Sequence, residues 1–196
     1  GQSGCNSAQS CLRSTANPWR GSDGDFIDID ADCAKFPYLL RAYYAWKNGL
    51  PFGYADGVSG ARFSPGGNRV VSRAQIVDRG DGIDPKRAIL AMMDNVYSGT
   101  YRVDAASSEG MPSDFYSPAL KPGSIRPGTV IYDPNGHVGI VWQVDAAGRI
   151  FYMDAHPDFT VSRSVYGAQF GQSQARMGVG LKNWRYTRRE GGRRAG

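Results

Sequence analysis

Residues 137–156 read HVGIVWQVDAAGRIFYMDAH, two alternating apolar runs on either side of DAAG. Such alternation argues half-buried strands, and a short Gly-containing connection argues a hairpin. With Val144 opposite Arg149, the pairing carries Gly139 to Asp154 and His137 to His156. Successive side chains of a strand point to opposite faces. His137, Asp154 and His156 therefore share one face, and Val138, Ile140, Trp142 and Met153 point to the other. A one-residue change in turn length would break this grouping. The chain has 2 histidines, and both belong to this cluster.

Further strands are expected around the hairpin: TVIYD (129–133), FTVSRSVYG (159–167) and VGLKNWRY (179–186). The first half reads differently. In FPYLLRAYYAWKNGLP (36–51), Phe36, Leu39, Leu40, Tyr43 and Trp46 recur at three- and four-residue intervals, the pattern of an amphipathic helix. Gly49 fits its C′ position and Pro51 its stop. DPKRAILAMMDNVY (84–97) is a second helix, with Asp84 as N-cap and Pro85 at the first helical position. RVVSRAQIV (69–77) is a strand and DFIDID (25–30) a short strand or extended lead-in. Residues 52–69 read as a glycine-rich excursion and 98–127 as irregular. Helices first and antiparallel strands afterwards make an α+β domain. Residues 1–25 read as a polar extension with Trp19 as anchor, 26–186 as the body with an insertion at 56–125, and 187–196 as a basic tail.

With 196 residues, 41% of them hydrophobic and 21% charged, the chain has globular rather than disordered composition. No apolar run approaches the roughly 20 residues that span a bilayer. The chain opens GQSG rather than with methionine, which fits either a removed leader or a leftover of cloning. Its net charge is +5, with Arg185, Arg188, Arg189, Arg193 and Arg194 crowding the end. Such a tail is either solvated or drawn to a polyanion, cell-wall polymer before nucleic acid, since no nucleic-acid-binding motif accompanies it.

The 3 cysteines are Cys5, Cys11 and Cys33. Cys5 and Cys11, in GCNSAQSC, could close a short disulfide loop, which would suggest an oxidising compartment and leave Cys33 unpaired. Their spacing is poor for zinc. The acidic run DFIDIDAD lacks the glycine and terminal glutamate of a calcium loop and reads as capping or solvated acid. No metal or cofactor is expected. An odd cysteine is either buried filler or a working thiol. A thiol becomes a nucleophile at neutral pH when an imidazolium or a helix start stabilises the thiolate. A third polar group then fixes the imidazole tautomer. With Asp32 as N-cap, Pro37 removes an early hydrogen bond of the helix. Either the helix proper starts at Pro37, after an irregular turn carrying Cys33, or its first turn is distorted.

ADCAKFPYLLRAYYAWKNGLPF, RPGTVIYD and GHVGIVWQVDAAGRIFYMDAH together resemble, in order, the three core motifs of the NlpC/P60 cysteine peptidases. The resemblance covers residues 28–55 and 125–157. In that family an Asp-Cys pair opens the first core helix, a Pro-Gly-Asp turn starts the next strand, and Gly-His-Val-Gly-Ile precedes a strand with the third polar residue. The resemblance implies a papain-like NlpC/P60-type fold, an N-terminal helix carrying the cysteine packed on an antiparallel sheet. It further implies Cys33 as nucleophile and His137 as base, with Asp154, or else His156, as the third residue. The chain departs from the pattern in having Ala34-Lys35 after the cysteine, Thr129 at the turn and an aspartate as third residue. The implied function is a secreted or periplasmic thiol hydrolase cutting amide bonds, first of all in peptidoglycan peptides. Transamidation or acyl transfer, an amidase toxin with an inhibitor or immunity protein as partner, and an inactive wall-binding module are the alternatives.

Overall fold

The computed structural model describes residues 4–23, 28–77, 82–106, 110–119 and 121–187. It is an α+β protein with two antiparallel sheets. The N-terminal segment carries α1 (Ala8–Arg13), followed by α2 (Lys35–Asn48), the strands β1 (Phe52–Val58) and β2 (Val70–Val77), then α3 (Pro85–Asn95) and the single turn α4 (Ser98–Tyr101). The second half supplies β3 (Phe115–Tyr116), β4 (Val130–Tyr132), β5 (Val138–Val144), β6 (Ile150–Ala155), β7 (Val161–Val165) and β8 (Gly180–Trp184). β1 and β2 pair with each other, and the 6-stranded sheet runs β3-β8-β4-β5-β6-β7.

The core fills the space between α2 and one face of the large sheet. Phe36, Leu39 and Ala42 of α2 meet Val130, Val138, Ile140 and Met153 there. Val141, Tyr152 and Ile131 form a smaller cluster with Phe170. Tyr38, which is not one of the stripe residues Phe36, Leu39, Leu40, Tyr43 and Trp46, is also fully buried. It packs edge-on against Tyr101, Phe115 and Trp184, and its hydroxyl donates to Asp114 at 2.6 Å. α2 is thus covered on two sides, so its burial is wider than a single stripe. It stops as the sequence indicates: Gly49 takes φ 62°, its N–H reaches Trp46 O at 3.1 Å, and Leu50 N–H reaches Ala45 O at 2.9 Å, a Schellman ending.

Several expectations need correction. Residues 52–58 are strand, not excursion. The glycines hide the pattern, since Gly53 and Gly57 carry no side chains to show a period. The stretch 98–127 is not wholly irregular, since it contains α4 and β3. Of DFIDID, residues 28–30 form no strand, and 25–27 lie outside the described residues, as do Arg188, Arg189, Arg193 and Arg194. The N-terminal segment is tied down at more points than Trp19, whose ring sits edge-on to Tyr43 and Tyr44. Leu12 and Ala8 enter the core, a Cys5–Cys11 disulfide closes the loop, and Val161 N–H donates to Asn6 O at 2.7 Å. No helix of the described residues is long and apolar enough to cross a membrane.

Lys182, the middle residue of β8, is 2% exposed. Its ammonium lies 5.3 Å from the Phe115 ring centre and 5.2 Å from that of Tyr132, and it donates to Tyr101 O. Burial pushes its pKa down to about 7. The unfolded chain therefore holds a proton that the folded chain has released between about pH 7 and the ordinary lysine value near 10.4. Wild-type stability should carry a component that rises with pH across this window. Urea unfolding of Lys182→Met should lack that rise, and an unchanged pH slope would refute the assignment.

Candidate active site

The placement of His137 begins with DPNG (133–136). Gly136 N–H donates to Asp133 O at 2.8 Å, Asn135 N–H to the Asp133 carboxylate at 2.7 Å, and Asp133 N–H to His137 O at 2.9 Å. Gly136 sits at φ 86°, in the left-handed region that favours glycine. This turn joins β4 to β5 and leaves His137 at the mouth of the hairpin.

The β5–β6 turn is one residue longer than expected, with Val144 opposite Ile150 rather than Arg149. Asp145 stabilises it by accepting from Ala147 and Arg149 N–H through its carboxylate, and Gly148 supplies φ 80°. That turn alone would have separated the polar cluster. A bulge between Val141 and Gln143 absorbs the extra residue, so that Val141 meets Tyr152 and Ile140 meets Met153. The register at the far end is thereby the expected one, which directs Gly139 towards Asp154. Gly139 must stay bare: a Cβ there would lie 2.9 Å from the Tyr152 ring.

Asp154 is buried and lies opposite Ser162 of β7. One of its oxygens is 2.6 Å from His137 Nε2, and the other accepts from Ser162 Oγ at 2.6 Å. His156 follows on the turn into β7, where its Nε2 is 3.1 Å from Ser162 Oγ. Ser162 has one hydroxyl proton and gives it to Asp154, so His156 Nε2 is the donor in that contact. The His156 ring stacks over His137 with centres 6.0 Å apart. All three residues of the predicted cluster come together, but only Asp154 touches the His137 ring through a hydrogen bond.

Cys33 arrives from the other half of the chain. The Asp32 carboxylate accepts from Ala34 and Lys35 N–H, each at 3.0 Å, and Asp32 O accepts from Phe36 N–H at 3.0 Å. The turn is therefore capped before the proline, and α2 starts at Lys35, with Pro37 inside its first turn rather than at its head. Having no N–H, Pro37 offers nothing to the Cys33 carbonyl. Tyr101 pins the turn from beneath, its hydroxyl donating to Ala34 O at 2.5 Å. Cys33 is a free, half-buried thiol whose sulfur is 4.0 Å from Gly136 O. It lies close enough to His137 to help raise the imidazole pKa. Asp154 occupies Nε2, so Nδ1 is the ring nitrogen still open to a partner.

The electrostatics follow the geometry. The hydrogen bond to Asp154, and next that to Cys33, raise the His137 pKa to about 9 against the opposing effect of burial. Burial pushes the Asp154 carboxyl up, but the hydrogen bonds from His137 and Ser162 outweigh it and leave its pKa below the ordinary value. At neutral pH the pair is an imidazolium facing a carboxylate, with a thiol on the far side of the ring. Such a row can activate sulfur as a nucleophile and deliver a proton. Sequence reasoning missed Ser162 and Tyr101. Ser162 is one serine in a strand, and Tyr101 lies where no pattern was legible. Among the described residues no group of three or more His, Cys, Asp or Glu side chains is arranged to hold a metal ion.

In comparisons with known proteins no family model matches the chain, and neither a curated protein nor a solved structure matches it.

Asp154→Asn should lower the His137 titration from about 9 towards the ordinary histidine value, as read from its ring protons by NMR. Because the folded value is raised, this contact stabilises the protein fully below about pH 6.5, and that contribution is lost as pH rises through about 9. The wild type should therefore lose stability relative to Asp154→Asn across that window. A His137 titration unmoved by the substitution would contradict the contact.

Proposed function

We propose that the chain is a papain-like thiol hydrolase of the NlpC/P60 type that cleaves amide bonds, with peptidoglycan peptides as its substrate class. The observation that carries this reading is the His137 imidazole held between the Cys33 thiol and the Asp154 carboxylate. In the proposed reaction the Cys33 thiolate attacks the amide carbon and forms a C–S bond. His137 gives its proton to the departing nitrogen as the C–N bond breaks. Water, deprotonated by His137, then opens the thioester, releasing the acid and returning the thiol. We assign Asp154 the task of orienting His137, because it contacts the ring directly, whereas His156 reaches Asp154 through Ser162.

The Asp32 carboxylate engages the Ala34 and Lys35 N–H groups, and Phe36 N–H is taken by Asp32 O. That leaves the Cys33 N–H as the donor proposed to stabilise the oxyanion. The expected helix-borne cysteine instead sits in the turn that opens α2, and α2 packs on an antiparallel sheet whose β5 follows His137 directly, an arrangement that supports the fold assignment. The Cys5–Cys11 disulfide favours a secreted or periplasmic setting. The net charge of +5 favours an anionic wall polymer.

Iodoacetamide labelling of the native protein against pH tests the thiol. Cys33 should be alkylated faster than free cysteine at neutral pH, and His137→Ala should abolish that advantage. Mass spectrometry of muropeptide digests tests the substrate: wild type should release new peptide ends, with a loss of at least about 100-fold in Cys33→Ala or His137→Ala. A Cys33 alkylation profile of an ordinary thiol, unchanged by His137→Ala, would overturn the reading.

A further inference from the structure

A cavity of about 680 Å³ opens between α2 and the sheet, running from Phe36 to Tyr44 along the helix and reaching Trp142 of β5. Trp142 is five positions along the chain from His137, roughly 16 Å of strand. The volume is that of a small-molecule pocket. Aromatic side chains form part of its wall, Trp19, Tyr43, Tyr44, Trp142 and Trp184 among them. The Trp142 indole nitrogen is buried without a hydrogen-bond partner among the described residues.

Two guanidiniums, Arg41 and Arg126, line the same space. Arg41 projects from the middle of α2 and is half-buried. Burial lowers its pKa, and the nearby charge of Arg126 lowers it further, against the opposing effect of Tyr186 and Tyr44. Two cations thus converge closely enough to repel, and no carboxylate among the described residues pairs with either. Nor does the adjoining sequence supply a counter-charge in quantity, since residues 188–196 contain four arginines and one glutamate. Like charges gathered in one cleft repel, and an anion entering between them relieves that repulsion.

We propose that this cavity binds a small amphipathic carboxylate, its apolar or aromatic body against the tryptophans and its carboxylate between Arg41 and Arg126. The site is separate from the Cys33 thiol and does not depend on its chemistry.

The test titrates the intact protein with 2-naphthoate and with uncharged 2-naphthalenemethanol, followed by tryptophan fluorescence and calorimetry. Naphthoate should bind at least about tenfold tighter than the alcohol. Arg41→Gln and Arg126→Gln should each remove most of that preference, Arg41→Lys should keep more of it, and Cys33→Ala should leave it untouched. Arg126 is on an exposed turn, so its variant decides the matter even if Arg41→Gln fails to fold. Absence of saturable naphthoate binding, equal affinity for the two probes, or a preference that survives Arg126→Gln would overturn the proposal. So would loss of the preference in Cys33→Ala.

Discussion

An imidazole can serve two partners at once, and in this protein they come from distant parts of the chain. His137 Nε2 meets Asp154 at 2.6 Å, and Cys33 lies near enough to help raise the pKa of the ring. Everything else in the site serves that one orientation. The DPNG turn sets where the ring starts, the β5–β6 pairing sets where the carboxylate stands, and the capped start of α2 sets where the sulfur lies. Ser162 holds the second carboxylate oxygen at 2.6 Å, so Asp154 cannot rotate away without giving up two hydrogen bonds. A buried carboxylate satisfied on both oxygens stays ionised and keeps the imidazole charged.

The same interface between α2 and the sheet serves two ends of the molecule. At one end the helix start and the DPNG turn converge on a polar row of thiol, imidazole and carboxylate. Towards the other end aromatic residues of the N-terminal segment, α2, β5 and β8 line a cationic cavity. The core between them, with Phe36, Leu39, Ile140 and Met153, fixes the helix on the sheet and so fixes both sites. Thr129 illustrates how local chemistry supports this frame. Its hydroxyl donates to Asn183 at 2.6 Å and accepts from Arg126 N–H at 3.1 Å, so it stitches β4 to β8 beside the cavity.

Much of the architecture was legible because periodicity and turn chemistry are local. The α2 stripe, the Gly49 ending, the Asp84 cap and five of the six strands of the second half could be read from spacing alone. β1 could not: its glycines carry no side chains to show a period. Tyr101 and Ser162 were also illegible, since their importance comes from what lies above them in space rather than from their neighbours in sequence.

What the sequence by itself determined is an α+β chain with a lone thiol ahead of a helix and both histidines on one hairpin. It determined these because a residue's face on a strand, or its place at a helix start, follows from positions a few residues away. Only the tertiary structure decided that the sulfur faces the imidazole and that Asp154, rather than His156, bonds to the ring. It also decided that a bulge at Trp142 repairs a turn one residue longer than expected. Those outcomes depend on how separate elements pack, and a one-residue offset in any of them would have left the same residues present but apart.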